Sequence, residues 1–224
     1  MGYYIDLTTV SLDDYKNKLR TCYLPPSRMI LKEQSDERMD YLKSIGIKNV
    51  KELQTILKNK DKMAELSNQG CLTEQYLYIL LRELNSLLPK PNRLSDLPGI
   101  SNETVERLAQ IGIKNTVKLY NRVLTAQLRK ELSEETGISE EEILELAKLT
   151  DLSRIKWVGG NFARMLYDLG YDTIEKSTKA DPEVLHKQIN QISHERKIYK
   201  GHIGLNDIRI FVDVSKEVPQ EMEF

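Results

Sequence analysis

The chain has 224 residues, 40% of them hydrophobic and 30% charged, with a formal net charge of -1 and a pI near 6.4. This is the composition of a globular protein, and it argues against a dedicated nucleic-acid packager, whose pI normally exceeds ~9. No apolar run is long enough to cross a bilayer, so a cytoplasmic protein without membrane association is expected.

The opening "MGYYIDLTTVSLDD" is acidic where a secretory leader is basic, and it lacks an apolar core. Gly2 is followed by Tyr3-Tyr4-Ile5-Asp6 rather than by the small hydroxyl residue of a myristoylation signal. Residues 1–30 are therefore read as an N-terminal arm with a short helix. The two cysteines, Cys22 and Cys71, stand far apart and suggest neither a disulfide framework nor a zinc site.

From residue 31 the chain repeats itself. "SDERMDYLKSIGIKNVKEL" from Ser35 lies over "SNETVERLAQIGIKNTVKL" from Ser101, and "AELSNQGCLTEQYL" from Ala64 over "KELSEETGISEEEI" from Lys130. Gly46 and Gly112 are 66 residues apart, as are Ser67 and Ser133. A register kept over that length without a gap is an internal duplication.

A third copy follows, in which "LSDLPGISNETVERLAQIGI" from Leu94 lies over "LSRIKWVGGNFARMLYDLGY" from Leu152 at a spacing of 58. Ile138-Ser139 matches Ile203-Gly204 at a spacing of 65, so the third copy carries an insertion before its second turn. The prolines of "SLLPKPNR", residues 86–93, mark a linker. The copies are placed at 31–88, 94–151 and 152–218, with a tail at 219–224.

Within a copy the pattern is helical. Val105, Leu108, Ala109 and Ile111 form a stripe at helix spacing after the N-cap candidate Ser101. Gly46, Gly112 and Gly170 stand where a helix stops in the left-handed conformation, and this role outweighs any ligand role. A short helix is expected from Thr116, and another after Ser139, whose following glutamates suit a helix N-terminus. No segment shows period-two alternation, so the fold class is all-α.

Two helices joined by hydrophobic-Gly-hydrophobic-small form a helix-hairpin-helix. Leu97-Pro98-Gly99-Ile100-Ser101 resembles that hairpin, and so does Trp157-Val158-Gly159-Gly160 with its first glycine replaced. Weaker second turns occur at Gly70-Cys71-Leu72-Thr73, Gly137-Ile138-Ser139 and Gly201-His202-Ile203-Gly204. The expected architecture is a tandem array of three paired helix-hairpin-helix repeats.

The string "TGISEEEILELAKLTDLSRIKWVGGNFARMLYDLGYDT" and the late "KGHIGLNDI" resemble the bacterial family named domain of unknown function 4332, over nearly the whole chain after residue 30. The resemblance implies a helical hairpin array and no particular activity.

Hairpin amides and the helix N-terminus behind them can hold a phosphate oxygen, with glycines letting the backbone approach. Such binding ignores sequence. The candidate hairpins are Gly99, Ile100 and Ser101, then Val158, Gly159 and Gly160, then Gly201, Ile203 and Gly204, with Arg154, Lys156, Lys197 and Lys200 as flanking cations. The first copy has Glu33-Gln34-Ser35 instead, which would repel phosphate. Trp157 could stack a base, but a core anchor is the plainer role for a tryptophan in a hairpin.

His186, His194 and His202 recur every eight residues, an advance of roughly 80° on a helix, so three cannot share one face. No nucleophile triad, phosphate-binding loop or metal-ligand spacing is found. The expectation is a non-enzymatic protein without metal, cofactor or small-molecule substrate. It leans to weak binding of a DNA or RNA backbone through the hairpin amides. The acidic stretch 131–151 and the near-neutral charge support the alternative, a protein-interaction scaffold.

Overall fold

The computed structural model describes residues 2–224, and among them every regular element is a helix. Two isolated bridges, Ser11 with Asn49 and Arg93 with Asn115, are the extended pairings among these residues. The chain divides into two compact units, residues 5–88 and residues 89–224 together with 2–4. The division falls inside the proline-bearing linker.

The first unit holds α1 (Leu12–Thr21), a 3-10 turn (Pro26–Lys32), α2 (Ser35–Ser44), α3 (Val50–Lys58), α4 (Lys60–Ser67) and α5 (Glu74–Ser86). Side-chain caps set the starts. Ser11 accepts from the Asp14 amide at α1 and Thr73 from the Tyr76 amide at α5, each satisfying a donor the helix leaves open. The expected arm is built into this unit, with Leu12, Tyr15 and Leu19 of α1 in a core shared with Leu53, Leu77 and Leu80. Arg28, in the 3-10 turn, pairs with the buried Glu83 of α5.

The second unit begins with a 3-10 turn (Leu94–Asp96). It continues through α6 (Asn102–Gln110), α7 (Thr116–Tyr120), α8 (Ala126–Thr136) and α9 (Glu140–Leu152), then α10 (Gly160–Asp168), α11 (Ile174–Thr178), α12 (Pro182–Glu195) and α13 (Leu205–Ser215). One hydrophobic core runs from Leu94 to Val218, so the segments 94–151 and 152–218 bury their apolar faces together. A segment of about 60 residues by itself buries only a marginal core. The tail is tied down as well, since Glu221 accepts from the Tyr120 hydroxyl and the Glu223 amide donates to Leu124.

Helix starts keep the spacing of the sequence copies. α3, α4 and α5 begin at 50, 60 and 74, and α7, α8 and α9 at 116, 126 and 140. α6 and α7 begin at 102 and 116, and α10 and α11 at 160 and 174. The insertion lies between α12 and α13, where residues 196–204 replace the short connector 137–139 between α8 and α9.

The doubled pentapeptide is a corner between helices. Gly46, Gly112 and Gly170 have φ of +93°, +83° and +84°. Behind them Ile47 donates to Leu42 at 3.2 Å, Ile113 to Leu108 at 2.9 Å and Tyr171 to Leu166 at 2.9 Å, closing each helix with a left-handed cap. The next helix starts three residues on. Asn49 accepts from the Glu52 amide and Asn115 from the Lys118 amide, and Thr173 does the same for Lys176. Lys197, at φ +53°, closes α12 with the same pattern, its amide on His194 and the Ile198 amide on Ser193.

Candidate functional site

The three candidate glycine hairpins differ in the groups that surround them. At the first, Gly99 has φ +88°, and a Cβ there would lie 2.8 Å from the Arg164 guanidinium. Ser101 caps α6 by accepting from the Thr104 amide at 3.0 Å. The Thr104 hydroxyl donates to Glu142 of α9, and Ser101 Oγ lies 3.4 Å from the same carboxylate oxygen. Ser101, Thr104, Arg107 and Glu142 line a depression of about 210 Å³. A carboxylate therefore already occupies the positive end of α6, where a phosphate would be drawn. Ile100 packs, partly buried, against the core.

At the second hairpin Trp157 has φ +67°, the left-handed conformation that Gly99 takes 58 residues earlier. It is no core anchor. The residue is 43% exposed, and the Lys156 ammonium stands 4.1 Å from its ring centroid. The next residue, Val158, is buried in the core, as the partly buried Ile100 is 58 residues earlier. Gly159, the N-cap of α10, is exposed, and the first turn of α10 carries no acid. Gly160 is a packing residue, since a Cβ there would stand 2.7 Å from the Asp96 carbonyl oxygen. The first two hairpins thus lean on one another, Gly160 on the backbone of Asp96 and Gly99 on Arg164.

At the third, the Gly204 amide donates to Asp207 Oδ2 at 3.1 Å, so an internal carboxylate meets this helix start too. Ile203 is held at both peptide groups by Asn190, its amide donating at 2.9 Å and its carbonyl accepting at 3.0 Å. Gly201 is exposed with open space around it.

The family model for the domain of unknown function DUF4332 matches residues 98–217. The chain belongs to this family. No curated protein and no solved structure matches it. The DUF4332 segment is shorter than the resemblance after residue 30 suggests. It opens within the Gly99 hairpin and closes past α13, and the first copy, with Glu33-Gln34-Ser35 in place of hairpin glycines, lies outside it.

Two flanking cations of the DUF4332 segment turn inward, a correction to the sequence reading. Arg154 is 2% exposed. Its Nη1 pairs with Asp151 at 2.8 Å, its Nε donates to the Tyr3 carbonyl at 3.2 Å, and its guanidinium lies 4.7 Å from the Tyr120 ring centroid. Burial raises the Asp151 carboxyl above its ordinary value in spite of that partner. Tyr3 bonds the Thr116 hydroxyl at 2.8 Å, and burial pushes its phenol up to about 12. Lys156 is 7% exposed. Lys197 and Lys200 stay at the surface. The i,i+3 spacing of Asp151 and Arg154 inside "LTDLSRI" was the available hint of an internal pair.

The structure also joins what helix arithmetic separates. His186 on α12 and His202 in the 196–204 connector approach to 3.1 Å between Nε2 atoms. The insertion turns the chain back onto α12, a reversal that residue counting along one helix does not see.

Proposed function

We propose that this chain is a non-enzymatic helical interaction module whose hairpins serve chiefly as packing units and whose partner is another protein. One observation carries this reading: the Glu142 carboxylate stands beside the Thr104 and Ser101 hydroxyls at the N-terminus of α6, where its charge would repel an external phosphate. Asp207 at Gly204, Gly160 against Asp96, and the burial of Arg154 and Lys156 support it. Labelled duplex and single strands, titrated with the protein at about 50 mM salt, where phosphate binding is strong, should give flat curves. A saturable curve would overturn the reading.

The hairpin at 157–160 favours a second reading, weak sequence-independent binding of a nucleic-acid backbone at this one place. Gly159 is exposed, α10 opens without an acid, and Trp157 offers an exposed ring. Binding of this kind would be micromolar or weaker. Its dependence on salt would be shallow, since each phosphate adds only about -0.9 to the slope of log K against log salt. Trp157→Gly separates the two readings further. It relieves the left-handed backbone and removes the stacking ring, so affinity should fall while stability rises.

A further inference from the structure

We propose that His186, His202 and the carbonyl of Ile203 form a binding site for a divalent transition metal of the zinc class. The Nε2 atoms of the two histidines are 3.1 Å apart, and His186 Nε2 is 2.9 Å from the Ile203 oxygen. The rings stand nearly perpendicular, at 85°, with centroids 5.0 Å apart. Two imidazole nitrogens bound to one tetrahedral zinc at ~2.0–2.1 Å lie about 3.3 Å from each other. The pair is therefore spaced for a shared ion.

The third donor is held in place. Asn190 clamps Ile203 through both its amide and its carbonyl, and its Nδ2 also donates to the His186 carbonyl at 2.9 Å. The Ile203 oxygen keeps one lone pair beyond the Asn190 bond. Without metal, the His186 Nε2–H meets that lone pair and the His202 nitrogen together. With metal, the proton of His186 sits on Nδ1 and the ion takes its place between the three donors. No three His, Cys, Asp or Glu side chains among the described residues gather around a metal, and here the backbone completes the set. The remaining positions are open to water or to a partner's side chain, since His202 is exposed.

The bland alternative is a hydrogen-bonded histidine pair that closes the connector. Zinc chloride titrated into the untagged full chain distinguishes them by calorimetry and by the imidazole proton resonances. One ion per chain is expected, with the resonances of His186 and His202 moving and those of His194 still. His202→Ala should weaken binding at least tenfold, and His194→Ala by less than twofold. Affinity should drop on acidification, because protons compete with the metal for its ligands. His186→Ala tests the same donor set, with circular dichroism checking the fold. If it fails to fold, the exposed His202→Ala decides alone. No uptake by the native chain up to about millimolar zinc, an affinity of under ~4 kcal/mol, would overturn the site. So would His202→Ala binding as tightly as the native chain.

Discussion

Thr104 donates its hydroxyl to Glu142, a residue 38 positions further on, across the mouth of the hairpin that opens α6. The bond brings an acid of α9 to the positive end of α6 and closes the depression behind Ser101. Glu142→Ala should lower stability by about 1 kcal/mol in urea unfolding, the usual net worth of such a bond. If the hairpin has latent affinity for phosphate, the same variant should bind oligonucleotides better than the native chain. Unchanged stability would remove Glu142 from this role.

The left-handed caps make opposite predictions at glycine and at lysine. Gly112→Ala and Gly170→Ala should each cost about 1 kcal/mol, because a Cβ is penalised at positive φ although nothing crowds it. Lys197→Gly, at the same cap position of α12, should gain up to about 1 kcal/mol. Denaturant midpoints of the three variants measure this directly.

The two neighbouring glycines of the second hairpin should respond differently. Gly160→Ala forces a Cβ to within 2.7 Å of the Asp96 carbonyl oxygen and should destabilise measurably, while Gly159→Ala meets nothing within 4 Å. A variant at Gly159 therefore tests ligand approach without disturbing the fold. Equal thermal midpoints for the two would contradict the packing role of Gly160.

Arg154 and Asp151 are a buried pair, and removing one leaves the other without its partner. Arg154→Leu should cost about 3–5 kcal/mol at neutral pH, and the double variant with Asp151→Asn should recover part of the loss. The folded chain holds the Asp151 carboxyl above its ordinary value. Its contribution is thus fullest below the unfolded value and declines as pH rises through the folded one. Stability of Arg154→Leu should accordingly improve on acidification relative to the native chain. A loss indifferent to pH would count against it.

Tyr3 gives an alkaline counterpart. Its phenol is raised by burial from 10.0 to about 12, so the stability it contributes is complete below pH 10 and lost as pH rises through 12. Tyr15, Tyr76 and Tyr120 are raised as well, each chiefly by burial. Tyrosinate absorbance of these buried phenols should appear only as the chain unfolds. Tyr3→Phe should flatten the alkaline fall in stability. A single transition near 10 would mean that these phenols are open to water.

The helices and their corners were legible in the sequence because their causes are local. A glycine that must take positive φ and an asparagine or threonine that must cap the next helix act over five residues, so "IGIKN" announces the same corner wherever it stands. Spacing between copies was equally readable, since helix length and connector length are counted along the chain. Which face of a hairpin meets water was decided only in three dimensions. Glu142, Asp207 and Asp96 reach the hairpin starts from other elements or from the next turn. Arg154 is drawn inside by Asp151 and Tyr3, and Trp157 lies at the surface although Val158 beside it is buried. His186 and His202 meet because an inserted connector folds back on α12. Electrostatic neutralisation and burial depend on distance through space, and residues far apart along the chain determine them.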